Sequence, residues 1–182
     1  MTDTRQRDVQ VLPIATDTLA LRSRSWNRLR FEIEYALEKG TTANSYLIQA
    51  EQVALIDPPG GSFTAIFLEE LKSHVSLDRL DYIILGHVNP NRLETLQHLI
   101  TEAPQVTIVC SNPGAIAIEA AELPLQNPLF IIKSADDILD LGEGHELQFM
   151  PVPTPRWPDG LSTYDPSTCT LYTDKFFSAH VC

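Results

Sequence analysis

The sequence predicts an α/β (α+β) protein in which two mixed β-sheets pack face to face beneath outer helices, an αββα sandwich. Residues 62–122 alternate between helical and strand patterns, which is typical of βαβ units. The flanking parts of the chain, before residue 58 and after residue 129, have only strand and turn patterns. Residues 82–86 form an apolar run without alternation, as expected for a strand covered on both faces.

The first third of the chain predicts antiparallel strands. Residues 9–12 and 18–23 are strand-like and are separated by Pro13 and a turn, which indicates a hairpin or an edge strand. Residues 28–35 alternate between charged and apolar side chains, as in a strand with one solvated face. Two further strands, 42–50 and 52–57, are expected to pair before a Pro-Pro-Gly-Gly turn.

The middle of the chain predicts helices that alternate with strands. Ser62 is the expected N-cap of a helix that ends near Lys72. After the strand at 82–86, a helix begins near Arg92 with leucines at helical spacing. A strand at 106–110 then leads through Ser111 into a helix at 115–122. The last part predicts strands at 130–132, 146–152 and 168–173.

Composition limits the function. The 182 residues are 43% hydrophobic, enough for one domain with a core. The net charge of -11 disfavours nucleic acid and anionic membrane as partners. No run is long and apolar enough for membrane insertion, and the N-terminus lacks the apolar segment of a signal peptide, so a cytoplasmic location is expected. Three cysteines without Cys-X-X-Cys spacing indicate neither a disulfide framework nor a zinc site.

The polar loop after residue 86 reads His87-Val88-Asn89-Pro90-Asn91-Arg92. It resembles the His-X-Glu-X-Asp-His run that binds two irons in flavodiiron proteins. Asn89 and Asn91 stand at the two carboxylate positions, and Arg92 stands at the second histidine position. Amides are poor ligands for iron, and a guanidinium offers no lone pair. The resemblance therefore implies a diiron site that has kept only His87.

Three other segments carry the same resemblance, in the order that the family has them. Residues 40–57 are similar to its opening strands. Residues 154–159 resemble its Leu-His-Trp-Pro-Asp segment, with Arg156 at the histidine position. Residues 171–180 resemble the segment of the bridging aspartate, with Lys175 at that position. The resemblance covers residue 10 to the last residue and implies a metallo-β-lactamase-like sandwich.

The resemblance also implies that residues 1–182 are a single domain truncated at its C-terminus. Flavodoxin-like and flavin reductase modules are expected downstream. The family implies transfer of electrons from NAD(P)H through FMN to oxygen, which is reduced to water. One alternative is a non-catalytic dimerisation or partner module of a diflavin flavoprotein complex. A hydrolase of the metallo-β-lactamase type is a third reading.

The cofactors and partners follow from the same resemblance. No metal or flavin is expected on this chain, whereas FMN, and a diiron centre in other members, are implied for the full-length family. The implied partners are a second flavodiiron chain, in a homodimer or heterodimer, and a nicotinamide nucleotide or redox protein as electron donor.

Several candidate residues also have structural interpretations. His87 at a strand end can be a hydrogen-bonded structural histidine, and Asn89 and Asn91 can be turn residues. His74, His98 and His145 match no family ligand and are expected at the surface or at caps. Asp57 and Asp159 are expected to orient neighbours or to pair with the new cations.

Three cations replace metal-site residues in this reading: Arg92, Arg156 and Lys175. Like charges in one pocket repel each other, so a counter-charge is expected. Asp159 or Asp174 can supply part of it. If these carboxylates do not reach the cations, a small bound anion is expected instead.

Overall fold

The computed structural model describes residues 7–25 and 41–177. The expected strand at 28–35 lies outside them. Within these residues, the strands fall into two sheets and the helices lie on one side. The strands are β1 Asp8–Ala15, β2 Thr18–Ser25, β3 Thr41–Gln49, β4 Val53–Ile56, β5 Leu80–Ile84, β6 Thr107–Ser111, β7 Phe130–Ile132, β8 Ile138–Asp140, β9 Glu146–Pro151, β10 Leu161–Asp165 and β11 Thr170–Tyr172, and the helices are α1 Thr64–His74, α2 Leu93–Glu102 and α3 Asn112–Ala120.

The first sheet has the strand order β1-β2-β3-β4-β5-β6-β7. The strands from β1 to β4 are antiparallel, as predicted. The strands from β4 to β7 are parallel and are linked through α1, α2 and α3, which confirms the βαβ units. β1 forms one edge, where Pro13 is tolerated because an edge strand needs fewer ladder donors.

The second sheet has the order β11-β10-β9-β8. Its three pairings are all antiparallel, so this sheet is not mixed as the sequence predicted. Strands β8 and β10 had no counterpart in the sequence prediction. β10 was hidden because its Ser162 and Thr163 are polar in sequence although both are buried in the fold.

The apolar core has two layers, one on each face of the first sheet. Along β4 and β5, successive side chains point to opposite faces. Leu55 and Ile83 belong to the layer on the helix side of the sheet, to which α1 contributes Phe67 and α2 contributes Leu99. The other layer lies between the two sheets and includes Ile56, Ile84, Val109, Leu147, Phe149 and Leu161.

The helix starts differ in one respect from the sequence prediction. Ser62 lies within a short 3-10 turn, Gly61–Phe63, and Phe63 is the N-cap of α1 without a side-chain cap bond. Ser111 caps α3 as expected, because its hydroxyl accepts a hydrogen bond from the Gly114 backbone amide. Among the described residues, no helix combines the length and apolar character needed to cross a bilayer.

Candidate functional site

The candidate site lies just beyond the end of β5, where a backbone hydrogen bond links this segment to the second sheet. The Leu161 backbone amide donates a 2.8 Å hydrogen bond to the Gly86 carbonyl. A Cβ atom on Gly86 would lie 2.7 Å from the Cβ of Asp174 and 3.1 Å from the Leu161 carbonyl oxygen. A glycine is therefore required here for the approach of Asp174. No local sequence pattern marks Gly86 as a site residue, since a close contact between distant segments leaves none.

His87 is fixed by Asp159. The His87 Nδ1 and Asp159 Oδ1 atoms are 2.7 Å apart, and the Val88 backbone amide donates to Asp159 Oδ2 at 2.7 Å. Burial would raise the pKa of Asp159, but the hydrogen bonds from His87 and Val88 outweigh burial and lower it. A carboxylate only accepts hydrogen bonds, so His87 donates through Nδ1. Asp159 thus orients a neighbour, as the sequence predicted.

The two asparagines form a turn. The Asn89 side-chain oxygen accepts a 2.9 Å hydrogen bond from the Asn91 backbone amide. This bond opens the 3-10 turn Pro90–Arg92, and the Asn91 side chain is exposed. The structure therefore supports the turn interpretation of both residues.

Arg92 lies between two buried carboxylates. Its Nη2 donates to Asp174 Oδ1 at 2.8 Å, and its Nη1 donates to Asp57 Oδ1 at 3.3 Å. The side chains of Arg92, Asp57 and Asp174 are 13%, 3% and 6% exposed. We call these three residues the Arg92 clamp. A small bound anion was expected only if carboxylates do not reach the cations. Asp174 and Asp57 both reach Arg92, so no bound anion is expected at this cation.

The charges of the three clamp residues shift one another's pKa values. Burial, and then the charge of Asp174, raise the pKa of Asp57 to about 7, although Arg92 and the Gly86 amide favour its ionised form. Burial works to lower the pKa of Arg92, but Asp174 and Asp57 outweigh burial and raise it. Arg92 therefore stays charged, and the protonation of Asp57 sets the net charge of the clamp.

The other two cations, Arg156 and Lys175, lie near the Arg92 clamp and differ in burial. The exposed Arg156 places its guanidinium carbon 5.2 Å from the centroid of the Trp157 ring. Trp157 in turn meets His87 edge-on, with ring centroids 6.1 Å apart. Burial, followed by the charge of Arg92, lowers the pKa of Lys175. Arg92 is thus largely buried whereas Arg156 is exposed, and an anion-binding site formed by the three cations stays a prediction.

A small pocket opens at this point, among the segments that follow β5, β9 and β11. His87, Trp157, Asp174, Lys175 and Phe176 are among its lining residues. The cavity measures about 20 Å³, which is room for about one water molecule.

His145 contradicts the sequence expectation of a surface or capping histidine. Its side chain is 2% exposed, and its Nδ1 lies 2.8 Å from Oδ2 of the fully buried Asp165. The hydroxyl groups of Ser167 and Thr168 also donate to Asp165. The pair joins the turn before β9 to the turn after β10, a long-range contact that the local pattern does not indicate. His74 at the end of α1 and the exposed His98 follow the prediction.

The donor set does not fit a pair of irons. The six positions that resemble iron ligands supply one imidazole, two turn amides, two guanidinium groups and one ammonium group. Across residues 7–25 and 41–177, no three His, Cys, Asp or Glu side chains are grouped so as to hold a metal ion. The chain's own residues form ion pairs and hydrogen bonds where the resemblance places ligands.

Comparison with known proteins gives a consistent result. Residues 41–182 match the model of the ODP family beta lactamase. The chain is 59% identical over 181 residues to diflavin flavoprotein A 4 of Nostoc sp., and the match covers 100% of this chain and 31% of that protein. It is 57% identical to diflavin flavoprotein A 3 of Synechocystis sp., over 97% of this chain and 30% of that one. The chain thus spans about a third of the length of these relatives.

Solved structures extend the comparison. A metal-soaked Flv1 flavodiiron core from Synechocystis sp. superposes with a TM-score of 0.92 at 56% identity, over 98% of this chain and 44% of that chain. The flavodiiron protein from Giardia intestinalis, at 22% identity, shares the fold with a TM-score of 0.82 over 98% of this chain and 43% of that chain. These matches confirm the metallo-β-lactamase-like fold and the resemblance to flavodiiron proteins. The chain therefore belongs to the ODP family of β-lactamase-like domains.

Proposed function

We propose that this chain is the metallo-β-lactamase-like module of a flavodiiron-type oxidoreductase, and that its own diiron site is degenerate. The full-length protein passes electrons from NAD(P)H through FMN to oxygen and reduces it to water. The proposal is supported by the names of the relatives, which are diflavin flavoproteins, and by the likeness to a flavodiiron core. Because those relatives are about three times as long, the flavin chemistry belongs to segments beyond this domain.

The observation that carries the degenerate site is the Arg92 clamp. In the resemblance, Arg92 stands where a histidine would bind iron. Here its guanidinium is buried and paired with Asp57 and Asp174. Two neighbouring cations, Arg156 and Lys175, add positive charge that opposes a metal ion. The positive charge of this site comes from side chains.

The partners and location are part of the same proposal. The full-length protein acts in the cytoplasm as a homodimer or heterodimer with another flavodiiron chain. A nicotinamide nucleotide or a redox protein is its electron donor. These assignments follow from the family resemblance and from the diflavin names of the relatives.

The proposal is tested by metal analysis of protein grown with added iron and purified without chelator. We expect no stoichiometric iron or zinc, because the ligand positions provide a single histidine. The matched control restores the family's ligand types with Asn89→Glu, Asn91→Asp, Arg92→His, Arg156→His and Lys175→Asp. This control is expected to gain metal. One or more tightly held ions per native chain would overturn the proposal.

A second candidate function is a non-catalytic dimerisation or partner module. Phe176 and Phe177 support it, since they are 51% and 71% exposed and their rings pack edge to face. Exposed aromatic pairs are common at protein interfaces. Oxygen uptake by the full-length protein separates the two candidates. Uptake by this protein alone supports the first, and uptake only with a second flavodiiron chain supports the second. The hydrolase alternative is not proposed, because the described residues bring no metal-binding group together.

A further inference from the structure

We propose that the Asp159-Gly160 bond is a site of isoaspartate formation, and that the folded chain keeps this site closed through His87 and Val88. It is the one Asp-Gly pair in the sequence. In such a pair, no side chain on the glycine hinders its amide nitrogen from attacking the carboxyl carbon of the aspartate. The residue that orients His87 thus belongs to a reactive pair.

The reaction needs only water as a co-reactant. The Gly160 nitrogen loses its proton and forms a bond to Cγ of Asp159, while a carboxyl oxygen leaves as water, which gives a five-membered succinimide ring. Water then adds back to the ring. When the bond between the nitrogen and the main-chain carbonyl carbon of Asp159 breaks, the chain continues through Cγ as isoaspartate. No group is oxidised or reduced, and the water lost in the first step is regained in the second.

The first observation is that the backbone requires a glycine at position 160. A Cβ atom there would lie 2.6 Å from the Val152 carbonyl oxygen, closer than a side chain and a backbone atom can approach. The Gly160 carbonyl also accepts a 2.8 Å hydrogen bond from the Val152 amide, which joins the chain after β9 to the start of β10. The close approach of these two segments therefore keeps the reactive pair in the chain.

The second observation is that both reacting groups are held in other contacts. The buried Asp159 carboxylate accepts from His87 Nδ1 and from the Val88 amide, each at 2.7 Å. The Gly160 amide donates to the Trp157 carbonyl at 3.2 Å. For the nitrogen to reach Cγ, the carboxyl group must turn away from its two donors and the amide must leave Trp157. The reaction therefore waits for a local opening of this segment.

Isoaspartate at this position would remove the contacts that the site is built on. The carboxyl carbon that now faces His87 and Val88 would become part of the main chain. The Asp159 carbonyl, which accepts from the Ser111 hydroxyl at 2.7 Å, would become the free carboxylate. The modified chain therefore cannot restore the contact between Asp159 and His87 by refolding.

The test is the rate of isoaspartate formation in native protein kept at pH 7 for several weeks, in buffer and in denaturing urea. Trypsin releases residues 157–175 as one peptide, because Arg156 precedes it and Lys175 ends it. Isoaspartate is measured by methyl transfer from labelled S-adenosylmethionine with an isoaspartyl methyltransferase, and fragmentation of the peptide assigns it to Asp159. We expect formation to be at least about tenfold slower in the folded chain than in the unfolded chain. Equal rates would overturn the proposal.

Two substitutions of His87 test its part in keeping the site closed. His87→Ala removes the donor to Asp159, whereas His87→Asn places a side-chain amide donor near the position of Nδ1. In buffer, we expect isoaspartate to form several-fold faster in His87→Ala than in the native protein, and His87→Asn to stay close to the native rate.

His74→Ala is the matched control, because it removes a histidine that pairs with Glu70 at the end of α1, and it should keep the native rate. Urea denaturation of each variant shows whether its folded state is populated. A folded His87→Ala variant that is no faster than His74→Ala would contradict the role of His87. If His87→Ala does not fold, the comparison of native protein in buffer and in urea still decides whether the fold closes the site.

Discussion

At the scale of single residues, the Arg92 clamp concentrates charge in a place that excludes water. Asp57 and Asp174 are almost fully buried, and both depend on the same guanidinium. A buried ion pair adds little net stability compared with apolar packing, but the loss of one partner leaves the others uncompensated.

Replacement of Arg92 by methionine is therefore expected to lower the free energy of unfolding by about 3–5 kcal/mol. Urea denaturation at pH 7 measures the change. Lys72→Met is the matched control, because Lys72 pairs with Glu102 at the surface, where both side chains are more than a third exposed. The control should cost less than about 1 kcal/mol. Equal effects of the two substitutions would show that the clamp is energetically unimportant.

The raised pKa of Asp57 leads to a second prediction, on how the stability of the protein depends on pH. Its pKa rises from 3.8 to about 7 on folding, so between these values the folded protein holds a proton that the unfolded chain releases. The contribution of Asp57 is thus fully present below about pH 4 and is lost as the pH rises to about 7. Relative to Asp57→Asn, native stability should fall by up to about 1.4 kcal/mol per pH unit across this range.

This difference is measured by urea denaturation at several pH values from about 4 to 8. Asp78→Asn, at an exposed site, is the control and should give a curve parallel to that of the native protein. A constant difference between the native protein and Asp57→Asn at every pH would contradict the raised pKa.

At the scale of elements, the two hairpins of the second sheet are joined by Asp165. Burial would raise the pKa of this carboxyl group, but hydrogen bonds from Ser167, Thr168 and His145 outweigh burial and lower it. The hairpins therefore share one charged acceptor, and its contribution to stability is present at neutral pH and is lost as the pH falls below about 4.

Asp165→Asn should lower the free energy of unfolding by about 1.5–3 kcal/mol at pH 7, because it removes the charge from several hydrogen bonds. The difference from the native protein should shrink at about pH 3. The control Asp140→Asn changes an exposed aspartate that accepts from the Gly142 amide, and it should cost less than about 1 kcal/mol. The measurement is urea denaturation at both pH values. An undiminished difference at the lower pH would argue against the lowered pKa.

The sequence predicted elements well where local pattern decides them. β5 and α2 were found because apolar runs and helical spacing are local properties, and only their limits moved by a few residues. β8 and β10 were missed, since one is three residues long and the other buries polar side chains between its neighbours. The candidate site shows the same contrast between local patterns, which the sequence contains, and long-range contacts, which it does not show. The sequence indicated Arg92 and Lys175 as candidate site residues, and it expected Asp57 to orient neighbours or to pair with the new cations without naming Arg92 as its partner.

At the scale of the whole molecule, the chain matches about a third of the length of its relatives. Its relatives are about three times its length, and the proposed flavin modules lie outside the region that it matches. Across residues 7–25 and 41–177, no three His, Cys, Asp or Glu side chains are grouped so as to hold a metal ion, and the flavin is proposed to bind outside this domain.

We therefore expect this chain alone not to reduce oxygen, with or without added free FMN. An oxygen electrode with NADH as the reductant measures uptake. Free FMN with heat-denatured protein gives the background rate. Uptake clearly above that background would show that the domain carries a redox site of its own.

We expect the Arg92 clamp to affect the order in which the chain assembles during synthesis. Arg92 and Asp174 are separated by 82 positions in sequence. Gly86 and Leu161, which bring the two sheets together, are also far apart. Of the two carboxylates in the clamp, only Asp57 is available to Arg92 while a ribosome is still making the second sheet. The first sheet and its helices can form early from near neighbours, and the two halves are fastened together only after the last hairpin has emerged.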